Sequence, residues 1–372
     1  MPNNQEDHSY ENHFAYEEKK SIKQSRKQAI ANDRSKYKKT DQKMLKKQVA
    51  PDLSDLILRG RVLSIMSAGM IVQEESGLFT CTLKGVLKKV RGAEKNLVAV
   101  GDFVFFEKIN ETEGIIVFVE ERRSVLSRAD NLLRRKEQLI AANIDQVLVT
   151  VSVIHPPLKT FIVDRYIIAT EKGGMEPIIV VNKVDLLDDE SIPKEIRNAE
   201  RELYEEFVEA YKKANIKVIS VSAETGLGLE ELKQAMTDRS SVFSGQSGVG
   251  KSSLINAMIG SNLKIGEIVE KTKKGSHTTT TAILLPLEFG GFCIDTPGIK
   301  SFGLWNLERG QVEAYFPEIH DIGQECKFPD CSHTHEKNCA VNEAVEEGKI
   351  SPLRFSSYLY LLESLGQVHR PR

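Results

Sequence analysis

Gly245-Gln246-Ser247-Gly248-Val249-Gly250-Lys251-Ser252 sits between a short apolar run, Ser241–Phe243, and the helical spacing of Lys251–Ile259. Strand, glycine-rich loop and helix is the context in which backbone N–H groups wrap phosphate oxygens at the positive end of a helix. The glycines permit close backbone approach. The Lys251 ammonium suits the β- and γ-phosphates of a nucleotide, where it also has a catalytic part, and the Ser252 hydroxyl suits Mg²⁺. Gly245, Gln246, Ser247, Gly248, Val249, Gly250, Lys251, Ser252 and Ser253 are therefore the expected phosphate-binding set.

Two further motifs complete a nucleotide site. Asp295-Thr296-Pro297-Gly298 closes a strand pattern after the loop. Asp295 there is expected to hold Mg²⁺ and the Gly298 N–H to sense the γ-phosphate during catalysis. Asn182-Lys183-Val184-Asp185 makes the base guanine. A carboxylate at Asp185 accepts from both N1–H and the exocyclic amine of guanine, whereas adenine offers neither. A site built on such a bond rejects the wrong base by about 10⁴–10⁵-fold. Lys183 can lay its stem along the base. Ser222-Ala223-Glu224 follows the next strand and would bring the Ala223 N–H to guanine O6. The order is thus base, base, phosphate, switch. An ordinary G domain runs phosphate first, so this one is expected to be circularly permuted, which a sheet tolerates when the old termini are joined.

Between loop and Asp295 lies Gly275-Ser276-His277-Thr278-Thr279-Thr280-Thr281. A threonine here, Thr279 or Thr280, is expected to close over Mg²⁺. Ile299 follows Gly298, and an apolar side chain cannot orient water. His277 is the nearest alternative catalytic group.

Strands and helices alternate around these motifs. Asp145–Val153 and Pro177–Val181 read as buried parallel strands, Leu158–Lys172 and Pro193–Ala214 as helices, and the whole of 128–304 as a doubly wound α/β G domain. Upstream, 54–127 holds about five short strands, fitting a small OB-type barrel; an SH3-like barrel has similar spacing. Residues 1–53 read as a flexible basic tail. Between Glu17 and Ala50 twelve Lys or Arg face four Asp or Glu, a composition suited to lying on nucleic acid.

A charged fraction of 28% with 40% hydrophobic residues excludes a disordered or fibrous chain of 372 residues. No secretory signal follows Met1 and no apolar run reaches membrane-span length, so the expected setting is the cytoplasm. In a reducing compartment clustered cysteines point to metal. Cys326-x4-Cys331-x-His333-x5-Cys339 supplies three thiolates and an imidazole, a closed set suited to one structural Zn²⁺ in a mostly helical domain, 305–372. His335 competes with His333 as the fourth ligand, His320 lies close upstream, and iron would accept similar ligands.

In combination, Asn182–Asp185 before Gly245–Ser252 and Asp295–Gly298, a barrel ahead and the Cys/His cluster behind resemble the bacterial small-ribosomal-subunit biogenesis GTPases, the RsgA/YjeQ family. The resemblance covers about Leu56 to the end. It implies GTP hydrolysis to GDP, stimulated by the 30S particle late in its maturation. It also implies an OB-fold on 16S rRNA, zinc on Cys326, Cys331, His333 and Cys339, and a role in hydrolysis for His277. A monomer is expected. The net charge of -2 requires RNA affinity to come from local patches such as Lys84–Arg91, with Lys88, Lys89 and Arg91, and Arg122–Arg135. Two other classes stand beside this one: an RNA-binding nucleotide switch with little hydrolysis, and a GTP-regulated enzyme acting on a small metabolite.

Overall fold

The structure, a computed structural model, describes residues 57–84, 97–129, 137–260, 282–295 and 307–368. The basic tail, Lys88, Lys89, Arg91, His277, Thr279, Thr280 and Gly298 lie outside the described residues. The chain forms two compact units. Residues 209–215 and 307–368 belong to one, and the remaining described residues to the other.

The larger unit begins with five strands: β1 (Ile57–Ile65), β2 (Met70–Glu74), β3 (Gly77–Leu83), β4 (Phe103–Lys108) and β5 (Glu113–Val119). They pair in the order β1-β2-β3-β5-β4, and β4 returns to β1. The β3–β5 pair is parallel and the other four are antiparallel. This closed, five-stranded Greek-key order is that of an OB-type barrel. Closure removes the exposed edges that an open sheet would present. Bulges at Leu63 in β1 and at Val117 in β5, opposite Phe105 and Phe106, bend the strands into the closed form. Val62, Val72, Phe79, Val104, Phe106 and Ile116 fill the interior.

After a hairpin, β6 (Val125–Ala129) and β7 (Glu137–Ala142), the chain builds an α/β sheet. Its strands are β8 (Gln146–Ser152), β9 (Glu176–Asn182), β10 (Lys217–Ser220), β11 (Ser240–Gly245), β12 (Ile283–Pro286) and β13 (Phe292–Asp295). Spatial order is β10-β9-β8-β11-β13-β12, parallel except for β12 against β13. Every residue of β8 is buried, as a parallel strand covered on both faces requires. Helices α1 (Thr160–Lys172), α2 (Lys194–Lys213), α3 (Leu229–Met236) and α4 (Lys251–Ile259) connect the strands. Leu148, Val180, Ile219, Leu232, Phe243 and Leu254 share one core cluster.

Barrel and α/β sheet are joined through backbone, since β1 pairs with β12 at Ser64 and Ile283. Arg61 reinforces the joint. Its guanidinium lies 5.0 Å from the Phe103 ring and 4.7 Å from the Phe292 ring, and its Nη2 donates to the Asn143 carbonyl at 2.7 Å. Burial lowers its pKa to about 10, still high enough to keep the charge that attracts both rings.

Arg122 corrects one expectation. It is not part of an exposed basic patch. Its guanidinium clamps the fully buried Asp102 carboxylate with two bonds of 2.8 Å, and Asp102 also accepts from the Ala99 N–H at 2.7 Å. Neighbouring Arg123 does remain mostly exposed. Removing one member of a buried ion pair leaves the other without compensation. Asp102→Ala is therefore expected to destabilise the larger unit by about 3–5 kcal/mol, read as a lower urea midpoint at unchanged slope.

Candidate nucleotide site and metal centre

The parallel strands deliver the motifs to one edge of the sheet. Asn182 ends β9 opposite Ser152 of β8, Gly245 ends β11 opposite Thr150, and Ser220 of β10 pairs with Val181. Asp295 ends β13, whose Ile294 pairs with Val242 of β11. Loops leaving the carboxyl ends of adjacent parallel strands form the usual ligand crevice of such sheets.

Asn182 ties these loops together. Its side chain is buried; Nδ2 donates to the Val249 carbonyl at 2.9 Å, and Oδ1 accepts from the Ala223 N–H at 3.1 Å. One carboxamide thus links the base-reading strand, the Ser222-Ala223 turn and the phosphate loop. Ser222, also buried, fixes its own turn by accepting from the Thr225 N–H at 3.0 Å. Gly250 has φ +93°, and a Cβ there would meet Asn182 Nδ2 at 2.2 Å. Only glycine satisfies both limits.

The two lysines also hold the loop. Lys183, itself left-handed with φ 64°, donates Nζ to the carbonyls of Gly248 and His155, both at 2.6 Å. Lys251 donates Nζ to the carbonyls of Gly245 at 2.9 Å and Gln246 at 2.5 Å. Val249 is buried beneath the loop, whereas Ser247, Gly248, Ser252 and Ser253 are exposed at its rim and at the start of α4.

Asp185 bears on the base. It lies in a single 3₁₀ turn, Val184–Leu187, immediately after β9. Its Oδ1 is buried and meets no donor among the described residues. A buried acceptor without a donor is costly, and the two adjacent N–H donors of guanine have the chemistry to satisfy it.

The smaller unit contains a 3₁₀ helix, Arg309–Tyr315, and helices α5 (Pro317–Gly323), α6 (Ala340–Glu346) and α7 (Pro352–Val368). Cys326, Cys331, His333 and Cys339 are all buried, with ligand atoms within 4.8 Å of one another. The Cys339 sulfur lies 3.8 Å from that of Cys326 and 3.7 Å from that of Cys331. His333 Nδ1 lies 3.6 Å from the Cys326 sulfur and 3.4 Å from that of Cys339. Tetrahedral Zn²⁺ with bonds of about 2.3 Å to sulfur and 2.0 Å to nitrogen requires separations of roughly 3.8 Å and 3.5 Å. The donor set therefore fits one zinc. Burial pushes the Cys331 thiol up to about 12 and raises Cys339 as well, so a dication is what would hold them as thiolates. His335 is exposed and outside the cluster.

Around this cluster Glu336 knots the loop. It accepts from Ser332 N–H and Oγ, both at 2.8 Å, from Thr334 N–H at 2.9 Å and from His335 N–H at 3.0 Å. Burial raises its carboxyl, but these bonds outweigh it and hold the pKa at about 2. Neither Glu336 nor Glu313, which faces His333, is marked out by the sequence. A glutamate has no spacing signature, and 53 acidic residues offer no means of choosing.

Comparison with known proteins agrees with this geometry. The family model described as RsgA GTPase matches residues 119–305, and the RsgA N-terminal domain matches 59–116. This chain belongs to the RsgA GTPase family. Its RsgA relatives include the protein named small ribosomal subunit biogenesis GTPase RsgA from Chlorobaculum parvum, 44% identical over 83% of this chain and 99% of the relative. The same-named protein of Chlorobaculum tepidum is 43% identical with the same coverage. Among solved structures, YjeQ from Thermotoga maritima has a TM-score of 0.66 at 33% identity, covering 85% of this chain and all of that one. YloQ, described as a circularly permuted GTPase, has 0.65 at 26% identity, covering 87% of this chain and 100% of that one. Like other members of the RsgA family, the chain is a GTP hydrolase with a permuted G domain. This disfavours the RNA-binding nucleotide switch with little hydrolysis. GTP, GDP and Mg²⁺ follow from that activity. No helix among the described residues is long and apolar enough to cross a membrane.

Asn182→Ala removes both ties at once. Leaving the Val249 carbonyl and Ala223 N–H without partners costs about 1–3 kcal/mol each. GDP affinity measured by titration calorimetry is expected to fall about 10–100-fold, with the circular dichroism spectrum unchanged.

Proposed function

We propose that this GTPase acts in the late maturation of the small ribosomal subunit, binds the 30S particle through 16S rRNA, and is stimulated there. The proposed division is a basic tail, 1–53, an RNA-binding OB domain, 54–127, the permuted G domain, 128–304, and the zinc domain, 305–372. The protein would work as a cytoplasmic monomer. Support comes from the names of the 43–44% identical relatives, which place those proteins in small-subunit biogenesis.

The observation that carries the site assignment is the Asn182 carboxamide spanning base and phosphate loops beside the Asp185 oxygen that meets no donor among the described residues. Asp185 would select guanine, Lys183 would cover the base, and Ser222-Ala223 would bound it. Gly245 to Ser253 would wrap the phosphates. Lys251 would exchange its two carbonyl partners for phosphate oxygens and stabilise developing charge. Ser252, Asp295 and a threonine, Thr279 or Thr280, would hold Mg²⁺, which supplies charge neutralisation. His277 would orient the attacking water and the Gly298 N–H would sense the γ-phosphate. Cys326, Cys331, His333 and Cys339 would hold one structural zinc.

Asp185→Asn tests the base reading. It replaces a double acceptor by a donor and an acceptor, which suits xanthine. GTP affinity should drop by at least about 10³-fold while xanthosine triphosphate gains; an unchanged preference would refute the assignment. For the metal, Cys331→Ser should cut bound zinc from about one per chain to less than half by elemental analysis. It should also make the smaller unit protease-sensitive. Isolated small subunits should raise GTP turnover about 10-fold or more, and His277→Ala should abolish that stimulation.

A further inference from the structure

His333 reaches the sulfur cluster with Nδ1, and this leaves a question about its other nitrogen. Once Nδ1 donates its lone pair to a metal, a neutral imidazole must carry its proton on Nε2. His333 is 2% exposed, and its Nε2 has no hydrogen-bond partner among the described residues. A buried N–H donor of this kind ordinarily finds an acceptor.

Glu313 stands opposite. It projects from the 3₁₀ helix Arg309–Tyr315, far from the ligands in sequence, and its side chain is 9% exposed. Its Oε2 lies 3.7 Å from His333 Nε2, while its Oε1 lies 3.3 Å from His320 Nδ1. Gly323 makes room for the pair. A Cβ there would come within 3.2 Å of His333 Nε2 and 3.3 Å of Glu313 Oε1.

We propose that Glu313 is the positioning residue of the metal centre. Its carboxylate accepts the His333 Nε2–H and thereby fixes the Nδ1-ligating tautomer and the ring orientation, with His320 anchoring the carboxylate from its other oxygen. A movement of about 0.5 Å brings the pair to hydrogen-bond length. The arrangement is the carboxylate–histidine–metal triad, in which the acceptor raises ligand basicity. This rests on the reading of the four residues as zinc ligands.

The test uses full-length protein loaded with one equivalent of zinc, with metal affinity measured by competition against a chromophoric chelator. Glu313→Ala is expected to weaken zinc about 10–100-fold. Glu313→Gln retains an acceptor oxygen and should recover a substantial part of that loss. His320→Ala should weaken zinc by a smaller factor. In parallel, ring ¹⁵N spectra of the zinc-loaded wild type should show His333 protonated at Nε2 and protected from solvent exchange. That protection should vanish in Glu313→Ala and return in Glu313→Gln. The far-ultraviolet circular dichroism of zinc-saturated protein serves as the folding control and should be unchanged in all three variants. Equal zinc affinity in wild type and Glu313→Ala would overturn the proposal. So would a His333 Nε2–H whose exchange is indifferent to residue 313. If the wild type itself takes up no zinc, the ligand reading fails instead, and the two failures are distinguishable.

Discussion

A single carboxamide carries the nucleotide site. Asn182 offers an amide NH2 and an amide oxygen, and each bonds a backbone atom of another loop, Val249 and Ala223. Neither partner is near Asn182 in sequence. The tie therefore acts through space, and the order in which the chain visits its three ends does not enter. This is why permutation leaves the site intact. What must be conserved physically is the set of parallel strand ends, β8, β9, β10, β11 and β13, opening on one edge. Hydrogen-bond register fixes that set, and register depends on burial rather than on where a chain starts. The inward bond also explains Gly250, because any side chain there would strike the amide that holds the loop.

The same economy governs the joint between barrel and α/β sheet. A pairing through one register position, Ser64 with Ile283, is a weak link taken alone. Arg61 strengthens it by filling the space between a barrel aromatic and an α/β-sheet aromatic. The Asp102–Arg122 pair, with Asn143 donating Nδ2 to the Gly101 carbonyl at 3.2 Å, stiffens the turn beneath. Buried charge of this kind contributes little net stability but penalises any arrangement that leaves a partner alone. It specifies how β4 enters the barrel more than it stabilises the entry.

Much of the architecture was legible in the sequence for a physical reason. Phosphate and guanine recognition demand residues at fixed short spacing, so Gly245–Ser252 and Asn182–Asp185 can be read without coordinates. Parallel strands buried on both faces leave dense apolar runs, and Val147–Val151, interrupted only by Thr150, is one. Barrel type was less legible. The parallel β3–β5 pair that distinguishes this closure joins segments more than thirty residues apart, and strand spacing alone carries no record of pairing. The β6–β7 hairpin escaped notice because Ser127–Gln138 lacks apolar alternation. Arg122 reads as surface charge in the sequence because composition counts charges and not their burial. Glu313 could not be found at all, since its role exists only once the 3₁₀ helix brings it against His333.

The smaller unit shows what a metal on the Cys/His cluster would contribute. Apart from α7, its helices α5 and α6 have seven residues each, too short to persist alone in water. Its interior also holds a buried charge. Arg354, 1% exposed, is held by the Glu318 carboxylate at 2.7 Å and lies over the rings of Phe316 and Tyr211 at 4.3 and 5.1 Å. Such a core satisfies its charges but yields less apolar burial per residue than an aliphatic one. A metal held by the four convergent residues would supply what the apolar surface cannot, because metal binding free energy in a small domain is folding free energy. The Cys/His cluster is thus best understood as the keystone of the smaller unit's tertiary structure. Its second layer, Glu313 against His333 and Glu336 across the loop, orders the backbone that the first layer must find already in place.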